Sequence, residues 1–247
     1  MAPLFSVTGR SLAAEASELR ILLGRAIETG WRQGPAGPQL PIVAGSSVLH
    51  NDAPYRSRPE SYDENRVWHE LLHSGITDEQ TVRRIVDGAA ARGETMLGIV
   101  GNRTLAVGFT AHGVAYGLLQ HDFIDEFLLM YYAHAAHLHT RGTWTAVECA
   151  DMDRDRAQHW PYCAPAQMTI PLLTKWMLLF EDPLADIVTL AKGTPRAWLE
   201  SGKRIGVTGA PTRFGPVSYS IISDLAHGAV RADVSLPQGW MPAFSCD

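Results

Sequence analysis

A mainly α-helical chain with a small β part at its C-terminal end is the fold class this sequence predicts. Three observations predict it. Apolar residues recur at helical spacing in most segments before residue 182. After Asp182-Pro183 the pattern turns to short β-rich runs separated by Gly, Pro and Ser. Between Val107 and Trp176 lie three aromatic- and Gly-rich segments, GFTAHGVAYGLLQHD, TRGTWTAVE and YCAPAQMTIPLLTKW. Their mixture of Trp, Tyr, His, Arg and carboxylate is that of a site lining, not a core.

Each element has its local reason. A first helix spans about Ser11 to Gln33, where Leu12, Ala16, Leu19, Leu22, Leu23 and Ile27 repeat at helical spacing. Gly34 to Pro41 and Pro54 to Pro59 read as loops. A helix from about Tyr62 to His73 stops at Ser74-Gly75. Thr77 caps the next, with Gln80 three residues on as in a capping box, and that helix runs to about Arg92. Gly93 to Arg103 is a loop of weak strand character. Helices follow at about Phe109–Leu119 and Ile124–Leu138, then a long irregular stretch from His139 to Pro165. Gln167 to Phe180 is apolar nearly all round, as for a buried helix, with Pro171 tolerable only in its first turn. Strands are expected at Ile187–Ala191, Lys203–Val207, Val217–Ile222 and Ala229–Leu236, with a helical turn at PRAWLES, 195–201. The domains are therefore 1–182, helical, and 183–247, β. Antiparallel helix pairs joined by irregular loops fit an α/α toroid.

Composition narrows the function. The chain has 247 residues, 46% hydrophobic and 19% charged, with a formal net charge of -5. An acidic balance argues against nucleic acid as a partner, because phosphate binding needs a basic surface. No apolar run reaches ~18 residues, so no membrane span is expected, and the start lacks the charged and apolar regions of a secretory signal. Cys149, Cys163 and Cys246, an odd set without CxxC, read as reduced thiols of a cytoplasmic protein. There is no phosphate loop and no GxSxG elbow. No cofactor and no resident metal are expected.

Several clusters carry possible chemistry. His69-Glu70-Leu71-Leu72-His73 is an HExxH on a helix, whose two His at i and i+4 face one way and can share a zinc, with Glu94 as a distant third ligand. The alternative is an amphipathic helix with Trp68, Leu71 and Leu72 inward. His134, His137 and His139 form a second imidazole cluster, more readily explained by helix-end packing than by metal. His121-Asp122, with His112 one helix earlier, is an imidazole–carboxylate pair suited to acid–base work; Asp122 is equally placed to cap the helix that follows. In RGTWTAVE, Trp144 offers a flat face for a sugar ring. Arg141 offers a fork for an anion. Glu148 offers a general acid, or else an ion-pair partner for Arg141. Tyr162 and Gln167 flank a helix N-terminus suited to an anion or hydroxyl. The catalytic candidates are Glu148, His121 and Asp122; the substrate-binding candidates are Trp144, Arg141, Tyr162, Gln167, His112 and Tyr116.

The segments YDENRVWHELLHSG, VGFTAHGVAYGLLQHDFIDEFLLMYYAHAAHLHTRGTWTAVE, YCAPAQMTIPLLTKWMLLFEDP and KGTPRAWLESGKRIGVTGAPTRFGPVSYSI resemble the C-terminal part of large bacterial six-hairpin glycosidase-like proteins. The resemblance spans about residues 15 to 236. It implies half of an (α/α)6 toroid followed by a truncated β domain, with Glu148 at the toroid mouth as the acid. Glycosidases normally use two carboxylates, for which Asp122, Asp125 and Asp151 are available. A half toroid implies a second protein chain supplying the other helices, or a homodimer. The expected function is a subunit of a glycosidase-like enzyme acting on a sugar or sugar-like substrate. The alternatives are a subunit of a bacterial natural-product enzyme that closes a ring with loss of an anionic leaving group, as in aziridine formation, and a non-catalytic carbohydrate-binding or scaffold subunit.

Overall fold

The structure is a computed structural model that describes residues 2–34, 37–41, 63–102, 105–151, 162–240 and 243. The expected loop at Pro54–Pro59, and Cys246, lie outside the described residues. Six α-helices account for 44% of the described residues and strands in four small antiparallel sheets for 28%. The helices are α1 (Ala2–Gly30), α2 (Asp63–His73), α3 (Glu79–Ala91), α4 (Ala111–Gln120), α5 (Ile124–His137) and α6 (Ala164–Leu178). The chain divides into two compact units, Met1–Ile170 and Pro171–Asp247.

The partial toroid is not what forms. A toroid stacks helical hairpins in a ring, whereas here the segments between the helices pair as strands, giving a mixed α/β fold. In the first unit α1 ends at Gly30, and β1 (Arg32–Gly34) and β2 (Gly37–Gln39) make a hairpin where the sequence suggests the end of the first helix and a loop. The four-stranded sheet is a meander of β3 (Thr95–Met96), β4 (Ile99–Asn102), β5 (Leu105–Val107) and β6 (Cys149–Asp151). Its last strand comes from the long stretch expected to be irregular, with Val107 opposite Cys149 and Ala106 opposite Ala150. Ile99, Ala106, Val147 and Ala150 from this sheet and its approach pack with Ala133 and Leu138 as one apolar cluster.

The helices obey local chemistry. Asp78 caps α3, its Oδ1 accepting the Thr81 amide at 2.8 Å, so the cap is the residue after Thr77. Between α4 and α5 the N-cap position falls to Phe123 without a side-chain bond, while Asp122 takes a left-handed conformation with φ 61°. Asp122 is therefore a turn residue and not the cap. α6 starts at Ala164, which puts Pro171 in the helix interior, not its first turn. The helix is not buried all round: Ala166, Thr169, Leu173 and Met177 mark its buried side, and Met168 is 62% exposed.

In the second unit β7 (Leu179–Glu181) pairs with β8 (Val188–Leu190). β9 (Arg204–Thr212), β10 (Gly215–Asp224) and β11 (Ala229–Ser235) form a three-stranded meander with β10 in the centre. A 3-10 turn covers Arg196–Leu199. The APTRFG turn is tied down by Arg213: its amide donates to Glu181 at 2.7 Å and its guanidinium to the carbonyls of Asp182, at 2.7 Å, and Ala185. Leu173, Met177, Leu179, Phe180, Ile205, Val217 and Tyr219 are the buried apolar residues here.

Candidate functional site

Two groups of side chains carry chemistry, both in the first unit and both near the start of α4. The first is the loop from His139 to Glu148. A bridge joins His139 to Ala146, and the Thr140 amide donates to the Thr145 carbonyl at 2.9 Å. Gln167 of α6 clamps the loop with both ends of its amide: Nε2 donates to the Trp144 carbonyl at 3.0 Å and Oε1 accepts the Ala146 amide at 2.9 Å. So held, Trp144 adopts φ 53° and is 57% exposed. Left-handed backbone at a non-glycine costs energy and persists only where neighbours enforce it. The Trp144 ring leans on His139 at 5.5 Å, and His139 on buried His134 at 5.9 Å. Trp144 and Tyr162, the latter 82% exposed, are both open to solvent.

Glu148 follows this loop half-buried, its carbonyl accepting the Gly108 amide at 2.7 Å. Its carboxylate is felt by Cys149, whose thiol is pushed up to about 11 by burial first, then by Glu148 and Cys163. A thiol so held is not a nucleophile at neutral pH. Arg141 is exposed, and among the described residues no ion pair joins it to Glu148.

The other catalytic candidates do not join Glu148. Glu148 is bonded to Gly108, just before α4, and His121 follows its last residue. A helix of 10 residues separates the two by about 15 Å. His121 instead donates Nε2 to the Thr77 carbonyl at 2.8 Å, fastening the end of α4 to the approach to α3. Asp151 lies on β6, near Glu148 in the chain, whereas Asp122 and Asp125 lie beyond the far end of α4.

The second group is built from α2 and α4. The two helices pass closely: a Cβ added at Gly113 meets the His69 carbonyl at 2.1 Å, and one at Gly117 meets Leu72 Cβ at 3.2 Å. Beside this crossing His112 and Tyr116 face His73, with ring centroids 5.2 and 5.1 Å apart and nearly perpendicular planes. Glu70 completes the group: one ligand atom each from Glu70, His73 and His112 lie within 4.8 Å of one another. Burial, then the neighbouring His112, lowers the His73 pKa, with Glu70 opposing.

The HExxH pair does not share a face as a ligand pair. His69 turns inward, edge-on to Trp68 at 3.9 Å, and its Nδ1 donates to the Thr110 carbonyl at 3.0 Å. Glu94, the distant ligand candidate, is buried in a two-point pair with Arg92 at 2.8 and 2.9 Å. Sequence inspection missed the grouping of His73 with His112, because the residues lie on different helices. The only written hint is the pair of small residues Gly113 and Gly117, which permits two helices to touch.

A shallow depression of about 570 Å3 along α3, lined by Asp78, Glu79, Gln80, Arg83, Arg84 and Asp87, presents no comparable set. Arg83 there is engaged by Glu126 at 2.7 Å and by the Phe123 ring, and Arg84 lies over Trp31. No described helix is long and apolar enough to cross a membrane. Comparison with family models, curated proteins and solved structures finds no match to the chain.

Proposed function

We propose that this chain is an enzyme subunit that stacks a sugar-like substrate on Trp144 and protonates its leaving group from Glu148. The observation that carries this is the Gln167 clamp, which holds an exposed aromatic residue on a hydrogen-bonded loop leading into the half-buried Glu148. Sugar rings bind flat aromatic faces through their apolar C–H surfaces, and a preorganised platform spends little ordering entropy on binding. Glu148 serves as general acid, and Asp151 of β6 supplies the second carboxylate that glycoside cleavage requires. The platform is one-sided, so a second chain or second copy closes it against water. Exposed Arg141 favours an alternative: a substrate carrying a phosphate or sulfate leaving group, expelled in a ring closure, with the guanidinium holding the departing anion.

The test is turnover of a panel of nitrophenyl glycosides and uronides by the full chain. Glu148→Gln is expected to lower kcat/KM by about 10²- to 10⁴-fold, and Trp144→Ala to raise KM with a smaller effect on kcat. Wild-type protein that turns over no glycoside, yet binds a sugar phosphate through Arg141, moves the assignment to the alternative. Activity unchanged in Glu148→Gln removes the acid role.

A further inference from the structure

We propose that Glu70 and His73 of α2, with His112 of α4, form a binding site for one divalent transition-metal ion, zinc by its ligand chemistry. The site is separate from the Trp144–Glu148 platform and does not depend on it.

The donor set already converges, with the three ligand atoms within 4.8 Å of one another. Glu70 and His73 are three residues apart on a helix, so they share one face. His112 reaches that face from the first turn of α4. Its tautomer is fixed: Nδ1 donates to the Phe109 carbonyl at 3.1 Å, so Nε2 carries the lone pair. A backbone carbonyl behind the far ring nitrogen is the usual support of a metal-binding histidine. The His73 ring stands nearly perpendicular to both the His112 and the Tyr116 rings.

Rigidity comes from the helix crossing. Gly113 lets α4 approach the His69 backbone closer than any side chain would allow, which sets the spacing between the ligand-bearing faces. Metal–donor bonds of about 2.0–2.1 Å in a tetrahedral shell bring donors to roughly 3.3 Å apart. Glu70 is exposed, so its side chain is the member of the set with room to move toward the two imidazoles. Two imidazoles and one carboxylate suit zinc, iron(II), cobalt and nickel, and not calcium or magnesium, which favour all-oxygen shells. Three protein ligands leave a fourth position for water. The ligand motif is therefore Glu-x-x-His plus a histidine from a second helix. His69, the first residue of the apparent HExxH, is excluded because its ring serves the Thr110 carbonyl from within the core.

The experiment is titration of the untagged full chain, stripped with EDTA, with zinc by calorimetry and with cobalt(II) by visible absorption. Wild type is expected to take up one ion per chain, and cobalt to give the intense bands of a low-coordinate nitrogen–oxygen site. His73→Ala and His112→Ala are each expected to weaken zinc by more than about 100-fold, beyond the loss caused by removing an outer-shell partner. Glu70→Gln, at an exposed position where folding is not at risk, is expected to weaken it by at least about tenfold. His137→Ala, an exposed histidine on α5, is expected to change nothing. Failure of wild type to bind zinc stoichiometrically overturns the proposal, as does zinc binding that survives both Glu70→Gln and His112→Ala. A glycoside-inactive chain that still binds zinc with these losses leaves the metal site standing.

Discussion

His69 and His134 are buried imidazoles whose neutral forms the fold requires. Burial lowers His69 to about 3, opposed by its bond to the Thr110 carbonyl. It lowers His134 to about 4, helped by the neighbouring His139. In the unfolded chain both titrate near 6.5. Below that value the unfolded state binds protons that the folded state refuses, so stability falls as pH falls. The loss begins near pH 6.5 and continues until about 4 for His134 and about 3 for His69. Within the shared window each group adds a slope of at most about 1 kcal/mol per pH unit. Urea midpoints between pH 7 and 4.5 should show this, and His69→Asn, which keeps a donor toward Thr110, should remove about half of it. Equal midpoints at both ends of the range would mean that these rings are hydrated. At this scale the sequence is legible where chemistry is local. A helix start near residue 78 follows from the polar run TDEQ, although the capping oxygen belongs to Asp78 and not to Thr77. It is not legible where a ring chooses between core and surface: the spacing of His69 and His73 puts them on one side of α2, and packing separates their roles.

The contact of α2 with α4 is the element on which the imidazole group depends. Gly113→Ala drives a methyl into the His69 carbonyl, backbone that cannot step aside, whereas Gly117→Ala presses only on the Leu72 side chain. The first substitution is expected to cost about 1–3 kcal/mol or more and the second less, in thermal or urea unfolding. Equal costs would show that the helices adjust their spacing freely. The loop after α5 makes a similar test, because Gln167→Ala removes both clamp bonds, each worth about 1 kcal/mol. Hydrogen exchange at 144 and 146 should accelerate while the exchange of α4 stays unchanged. The helices are legible to within a few residues because their apolar periodicity is local. The strands of the first unit are not: β3, β5 and β6 have two or three residues each, too few to show alternation. β6 is a strand because Val107 and Ala106 stand opposite it, a long-range pairing that no window along the chain contains.

Across the whole molecule, the expectation of toroid hairpins came from counting helices and from resemblance. Neither registers that the connecting segments pair with one another, which turns a helical list into a mixed fold. The first helix raises a separate matter. Leu12, Leu19, Ile21, Leu22 and Leu23 of α1 are each at least half exposed, more apolar surface in one stretch than a monomer usually leaves bare. Leu12, Ala16, Leu19 and Leu23 follow the spacing of a coiled-coil seam, and Glu15 and Arg20 take the flanking positions where opposite charges meet across two parallel helices. A second copy is the occupant this pattern fits. The native mass is expected near twice 27.0 kDa, falling to that of one chain in the Leu19→Glu, Leu23→Glu double variant. A wild-type monomer would rule the pairing out. β11 presents the opposite case. Among the described strands it pairs only with β10, which makes it an edge strand of that sheet, the kind of margin at which another strand can add. That margin carries Arg231 and Asp233, exposed and joined at 3.1 Å: a strand seeking to extend the sheet into a fibril would have to strip water from two charges.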